Sequence, residues 1–156
     1  MHTLPDSEKG FWIMAIKKHG SAHWEGSIKE GHGTISTESH ALKNQPYGFN
    51  TRFEDKPGTN PEELLGAAHA ACFSMALSLI LGDAGLTANS IDTKAEVSLN
   101  KVADGFEIDA VALKLEAEVP GATPEQFQEL ANKAKTGCPV SKLFKANITL
   151  DAKLVG

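Results

Sequence analysis

The sequence predicts an α+β fold in which antiparallel sheets pack around a long central helix. Residues 60–81 are apolar nearly all round and rich in small side chains, as expected of a helix that packs closely on several sides. Residues 91–100 alternate apolar and polar side chains, which is typical of a half-buried antiparallel strand. Strands come first, then the long helix, two strands, helices and a last strand, and this order favours α+β over repeated βαβ units.

The composition is that of an ordinary globular protein. The chain has 156 residues, of which 41% are hydrophobic and 22% are charged, and this excludes disordered and collagen-like classes. A net charge of −5 gives no reason to expect nucleic acid or an anionic membrane as a partner. Residues 64–82 are uncharged but too rich in small and polar side chains for a membrane span.

The first residues of the chain look detached from the rest. We interpret residues 1–13 as an N-terminal extension or leader and residues 14–156 as a single domain. No basic segment followed by a long apolar run opens the chain, so we expect a cytoplasmic protein with reduced cysteines.

The first half of the domain combines short strands with one well-marked helix start. Residues 16–38 suggest strands with a hairpin turn at 29–33, and residues 41–54 are irregular to extended. The long helix then has a clear beginning, because Asn60 is a favoured N-cap and Pro61 suits the first helical position.

The second half contains two strands, two helices and a last strand. The strand over 106–119 shifts its alternation by one residue near Val111, which predicts a β-bulge. A capping box that begins at Thr123 opens a helix, Cys138 precedes a further short helix, and the last strand covers 148–154.

The two cysteines are the main candidates for chemistry. Cys72 lies roughly 15 Å inside the long helix, where the helix dipole gives little help and apolar surroundings raise the pKa of a thiol. Left alone, Cys72 is an inert core residue, and it needs a nearby cation to become reactive. Cys138 lies at a helix start, where amide groups stabilise a thiolate, although it could also be a mere cap residue.

Arg52 is the candidate cation, since it is the single arginine among 15 basic residues. A lone arginine suggests a place that needs the planar, permanently charged guanidinium, and a solvated surface charge is an equal alternative. Glu62 could hold this guanidinium and is freer to do so than Glu63, which is placed for local capping.

His69 stands one helical turn before Cys72, on roughly the same face. A zinc site is disfavoured, because the cysteines form no Cys-x-x-Cys pair and no second histidine stands at ligand spacing. We interpret His69 as a packed or water-bonded side chain. A thiol hydrolase that uses His69 is an alternative, disfavoured because nothing obvious in the sequence orients the imidazole.

Five segments form a specific combination of motifs: residues 23–26, 46–53, 58–64, 67–77 and 137–141. An Asn-Pro-Glu segment is followed by Ala-Cys-Phe and, much later, by Cys-Pro. This combination resembles the OsmC branch of the OsmC/Ohr family of thiol-dependent hydroperoxide reductases. The position of the arginine, just before the long helix, resembles that in the OsmC branch rather than that in the Ohr branch.

The resemblance implies a role for each candidate residue. It makes Cys72 the peroxidatic cysteine, Cys138 the resolving cysteine, Arg52 the activating cation and Glu62 its carboxylate partner. It implies an intertwined homodimer with active sites at the subunit interface. It also implies that hydroperoxides are the substrates and that a lipoyl or thioredoxin-type dithiol is the reductant, without a metal or other cofactor. Apolar side chains such as Phe73, Met75 or Phe144 around the site would favour organic hydroperoxides over inorganic ones.

The spacing of Glu62 and Cys72 bears on the dimer. They are roughly three helical turns apart, too far along a straight axis for both to touch one guanidinium. Either the helix bends or the two residues of one site come from different chains, and we favour the second. The alternative function is a non-enzymatic dimer that holds an apolar ligand between its long helices, with both cysteines incidental.

Overall fold

The computed structural model describes residues 15–156, so the extension predicted at 1–13 lies outside the described residues. Two compact units are present, one that ends at Thr59 and one that spans Asn60–Gly156. The combination of strands and helices in the described residues confirms the α+β class. That residues 14–156 form a single domain stays a prediction.

The first unit contains a three-stranded antiparallel sheet. Its strands, in spatial order, are β1 (Gly20–Glu25), β2 (His32–Thr37) and β3 (Gln45–Tyr47). The predicted hairpin turn joins β1 to β2, and the Gly31 N–H closes it by donating to the Ser27 carbonyl at 2.8 Å. A Cβ on Gly31 would lie 2.3 Å from that carbonyl oxygen, so the turn requires glycine there.

A short helix, α1 (Phe49–Phe53), follows β3. The expectation of an irregular or extended segment over 41–54 is therefore wrong for these residues. The physical reason is local capping by Thr51. Its hydroxyl accepts the Gly48 N–H at 2.9 Å and donates to the Gly48 carbonyl at 3.0 Å, which stabilises the first turn.

The second unit begins with the long helix α2 (Pro61–Asp83) of 23 residues. The side chain of Asn60 accepts the Glu63 N–H at 2.8 Å, which confirms the predicted N-cap. Such a cap satisfies one of the backbone donors that the first helical turn leaves without an intrahelical partner.

The end of α2 is a Schellman motif. Gly85 has a φ of 76°, a left-handed conformation that favours glycine. The Leu86 N–H donates to the Leu81 carbonyl at 2.9 Å, and the Gly85 N–H donates to the Gly82 carbonyl at 3.0 Å. These bonds satisfy carbonyls of the last turn, and the helix ends at Asp83, two residues beyond the predicted end at residue 81.

Helix α2 has one buried face and one exposed face. The buried face consists of Gly66, His69, Phe73, Leu77 and Leu81. Met75 and Leu79, on the other side, are 76% and 67% exposed. The sequence predicts a helix that packs on several sides, whereas within a single chain only one face of α2 is buried. By length and composition alone α2 would also suit a membrane span, a property that it shares with core helices.

The second sheet is mixed rather than antiparallel. Its strands, in spatial order, are β4 (Ser90–Val102), β5 (Gly105–Glu118) and β6 (Asn147–Val155). Strands β4 and β5 are antiparallel, whereas β5 and β6 are parallel, so the prediction of antiparallel sheets is wrong for the last pair. The connection from β5 to β6 contains α3 (Pro124–Gly137) and α4 (Pro139–Leu143), and this crossover is long enough to return the chain in the same direction.

The predicted bulge is present in β5. Ser98 pairs with Ala110, whereas Leu99 pairs with Ile108, so Asp109 has no partner in the ladder. Its side chain accepts a hydrogen bond from Asn100 at 2.7 Å. The alternation shift near Val111 therefore located the bulge to within two residues.

The core of the second unit is formed by α2, α3 and the inner face of β5. It includes Phe73, Leu77, Leu113, Leu115 and Phe127. Thr123 caps α3 as predicted and accepts the Gln126 N–H at 3.2 Å. Helix α3 therefore begins where the capping box places it and carries the chain towards Cys138.

Candidate functional site

The structure brings the two cysteines together. The Cys138 thiol donates to the Cys72 sulfur at 2.9 Å, although 66 positions separate them in the chain. Cys72 is half-buried on α2, and Cys138 is fully buried in the crossover between β5 and β6. Two free thiols in contact can form a disulfide with little movement of the backbone.

Backbone hydrogen bonds hold Cys138 at the junction of α3 and α4. Its N–H donates to the Ala134 carbonyl at 3.0 Å, and its carbonyl accepts the Lys142 N–H at 3.1 Å. The thiol makes no capping bond to α4, because it points to Cys72. Cys138 is thus a cap residue through its backbone, and its side chain remains available for chemistry.

Burial raises the pKa of the Cys72 thiol. Contact with the Cys138 thiol raises this pKa further, whereas a hydrogen bond from the backbone of Val140 opposes the shift. No cationic group of residues 60–156 is among the causes of the shift. Within this unit Cys72 is therefore a protonated and weakly nucleophilic thiol at neutral pH. Reactivity requires a positive charge from elsewhere.

A buried polar pair lies one helical turn from the cysteines. His69 is fully buried, and its Nε2 lies 2.7 Å from the Ser141 hydroxyl oxygen. The imidazole also lies edge-on to Phe144, with ring centroids 5.2 Å apart. Burial lowers the pKa of His69, so the ring is neutral at neutral pH.

Sequence reasoning missed Ser141. A signal was present, because Ser141 follows Cys138 by three residues just as His69 precedes Cys72 by three. The sequence predicts a packed or water-bonded side chain for His69, and nothing obvious in the sequence orients the imidazole. The structure shows that Ser141 and Phe144 orient the imidazole.

Arg52 and Glu62 lie on different helices. Arg52 is exposed on α1 in the first unit, with its guanidinium carbon 5.3 Å from the centre of the Phe53 ring, a cation–π distance. Glu62 is half-buried in the first turn of α2. Because α2 runs unbroken to Cys72, Glu62 lies about 15 Å from it along the helix axis. The roles of both residues stay predictions.

Comparison with known proteins places the chain in a family. The family model for OsmC-like proteins matches residues 53–153. Peroxiredoxin OsmC of Escherichia coli K12 is 64% identical over 141 residues, which cover 90% of this chain and 99% of the relative. Organic hydroperoxide resistance protein OhrB of Bacillus subtilis is 34% identical over 107 residues, which cover 67% of this chain and 76% of the relative.

Solved structures agree on the fold. The crystal structure of Bacillus subtilis OhrB superposes with a TM-score of 0.63 and 26% identity, and covers 88% of this chain and 98% of that one. An organic hydroperoxide resistance protein OsmC from Legionella pneumophila gives a TM-score of 0.69 at 23% identity, with 92% and 99% covered. Sequence motifs, family model and fold agree, and the chain belongs to the OsmC-like protein family.

Proposed function

We propose that this chain reduces organic hydroperoxides to alcohols, and inorganic peroxide less well, through Cys72 and Cys138. The names of its relatives, peroxiredoxin OsmC and organic hydroperoxide resistance protein, indicate a peroxiredoxin-like enzyme. The single observation that supports the thiol mechanism is the 2.9 Å contact between the two sulfurs. A resolving cysteine has to reach the peroxidatic one, and Cys138 already does so in the reduced chain.

The reaction proceeds in two steps. The Cys72 thiolate attacks the outer oxygen of the hydroperoxide, the O–O bond breaks, and the alkoxide leaves and takes up a proton to become the alcohol. Cys72 is now a sulfenic acid. The Cys138 sulfur then bonds to the Cys72 sulfur, and the hydroxyl leaves as water with the thiol proton of Cys138.

An external dithiol of lipoyl or thioredoxin type reduces the disulfide. Of the two sulfurs, the one on Cys72 is the accessible target, because Cys138 is fully buried and Cys72 is only half-buried. The reductant attacks Cys72, and Cys138 leaves as the first thiol released. Sulfur supplies all the redox chemistry of this cycle, which suits a reducing cytoplasm and needs no further cofactor.

Arg52 supplies the positive charge that Cys72 lacks within its own unit. A guanidinium next to the sulfur stabilises the thiolate and the negative charge that develops on the peroxide oxygens. Glu62 holds the guanidinium in place. Burial raises the pKa of Cys72, so a thiolate at neutral pH requires a cation of this kind.

The active form is a homodimer in which α2 packs against the partner. The exposed face of α2 supports this proposal, because Ala68, Ala71, Met75 and Leu79 recur at helical spacing and present an apolar stripe. Packing this stripe against a second copy removes it from water and lets Glu62 of one chain serve Cys72 of the other. Assembly is then a condition of activity.

Mass spectrometry after one equivalent of cumene hydroperoxide tests the proposal. We expect the wild-type chain to lose two free thiols and form the Cys72–Cys138 disulfide. Cys72→Ser should react with no hydroperoxide, whereas Cys138→Ser should stop at the Cys72 sulfenic acid. A wild-type chain that keeps both thiols would instead favour the non-enzymatic ligand-binding dimer.

A further inference from the structure

A second contact joins the two segments that carry the cysteines. His69 bonds to Ser141 one helical turn from the sulfur contact, because His69 precedes Cys72 and Ser141 follows Cys138. Moving one turn towards the start of α2 and one turn into α4 therefore leads from the sulfur contact to the contact between His69 and Ser141. The two contacts form consecutive rungs between the same two helical segments.

The rung made by His69 and Ser141 is shielded from water. His69 is 0% exposed and Ser141 is 7% exposed. The Phe144 ring covers the imidazole at an interplanar angle of 87°. A hydrogen bond in such surroundings is not weakened by competing solvent, so it holds α4 to α2 in one position.

Packing alone does not account for a histidine here. Nδ1 of His69 has no hydrogen-bond partner among the described residues, and burial lowers the pKa of the ring. A buried polar nitrogen without a partner costs stability. A phenylalanine of similar shape would fill the space without this cost, which indicates that the bond to Ser141 has another role.

We propose that the His69–Ser141 hydrogen bond positions Cys138 against Cys72 and thereby sets the rate at which the Cys72 sulfenic acid is captured as a disulfide. The inference rests on the function proposed above and concerns its second step alone. His69 and Ser141 are positioning residues, since they act through the segment that carries Cys138 rather than on the hydroperoxide. Capture of the sulfenic acid needs no additional oxidant, because the S–S bond forms as the S–OH bond breaks and water leaves.

Capture competes with damage to the enzyme. A sulfenic acid that waits for its partner can meet a second hydroperoxide and become a sulfinic acid, which thiols do not reduce. A bond that keeps Cys138 in place therefore shortens the exposure of Cys72 to further oxidation. Slower capture predicts more sulfinic acid for each turnover.

Two variants remove the bond in different ways. Ser141→Ala deletes the hydroxyl, and His69→Phe keeps a ring against Phe144 without a nitrogen. Ser74→Ala is the matched control, because it removes a bond of 2.8 Å between α2 and Thr93 on β4 and leaves α4 untouched. Urea unfolding of all three variants measures the loss of stability that each substitution causes.

Rapid-quench experiments with one equivalent of cumene hydroperoxide separate the two steps. Dimedone adducts measure the sulfenic acid, and mass spectrometry measures the disulfide. We expect Ser141→Ala and His69→Phe to form the sulfenic acid at the wild-type rate and to close the disulfide about tenfold more slowly. Ser74→Ala should close it at the wild-type rate.

The outcomes distinguish the inference from the proposed function. Capture at the wild-type rate in either folded variant would overturn the positioning role and leave the peroxidase function intact. A wild-type chain that forms no disulfide would overturn the function itself. In excess hydroperoxide, both variants should also accumulate sulfinic acid at lower concentrations than Ser74→Ala, a shift that lost stability alone does not cause.

Discussion

At the scale of single residues, Cys72 combines two opposing requirements. Its sulfur is partly buried and in contact with the Cys138 thiol, and both features raise its pKa. Attack on a peroxide requires the thiolate, which the pKa shift disfavours. A nearby cation has to lower the pKa of Cys72 again, and the family resemblance assigns this role to Arg52.

Replacing Arg52 tests this requirement. We expect Arg52→Gln to raise the pKa of Cys72 and to lower the second-order rate constant for cumene hydroperoxide about 100-fold, because the thiolate and the developing oxyanion both lose a charge. Thiol titration and stopped-flow kinetics measure the two effects. Lys56→Gln, a nearby exposed cation, serves as the control, and an equal loss in both variants would argue against a specific role.

The pKa of His69 predicts a pH dependence of stability. Burial lowers this pKa from 6.5, so the unfolded chain binds a proton more readily than the folded chain. Above pH 6.5 His69 is neutral in both states, and its contribution to the free energy of unfolding is fully present. This contribution is lost as the pH falls from 6.5 through the lowered pKa of His69 in the folded state. Urea unfolding at pH 7.5 and 5.0 should show a smaller loss in His69→Gln than in the wild type, and parallel pH profiles would contradict this.

At the scale of secondary structure, the approach of α2 to β4 depends on Gly66. A Cβ added there would lie 2.9 Å from the backbone carbonyl oxygen of Ala95, a group that cannot rotate away. The helix and the strand can therefore pack at this short distance only because position 66 has no side chain.

Gly66→Ala should consequently destabilise the chain. The substitution gains about 1 kcal/mol in helix propensity, but forcing the strand away costs about 1–3 kcal/mol, so we expect a net loss. Gly82→Ala on the same helix is the control, since nothing lies within 4 Å of its added Cβ. Urea unfolding should give opposite signs for the two variants, and a gain in both would refute the close approach.

Local signals made much of this fold predictable. Asn60, Thr123 and the alternation shift near Val111 act on neighbouring residues, and the structure shows two caps and a bulge there. The direction of β6 was not predictable, because alternation is the same in parallel and antiparallel strands. The bond from Ser141 to His69 joins residues 72 positions apart, and only the tertiary fold makes them neighbours.

At the scale of the whole molecule, the exposed stripe on α2 predicts a dimer. Sedimentation should give a mass of twice 16.6 kDa for the wild type. Leu79→Asp places a charge in the stripe and should shift the protein towards monomers with loss of peroxidase activity. Val102→Asp, an exposed apolar position at the end of β4, is the control and should stay dimeric. A monomeric and active wild type would refute assembly through α2.

Mixed dimers test whether one site uses both chains. Cys72→Ser and Glu62→Gln chains each lack a different residue of the proposed site. If Glu62 serves the Cys72 of its partner, random mixing restores about one quarter of the wild-type sites. Peroxidase assays after denaturation and joint refolding measure this recovery. Activity no higher than that of the separate parents would show that each chain builds its own site.

The wide separation of the cysteines along the chain has a consequence for biosynthesis. Cys72 emerges from the ribosome well before Cys138, and the two meet only after the last crossover docks on α2. An unfinished polypeptide therefore carries Cys72 without its partner thiol. Only a chain that has completed and docked residues 124–143 holds the two sulfurs side by side, so the order of synthesis fixes when this contact can first form.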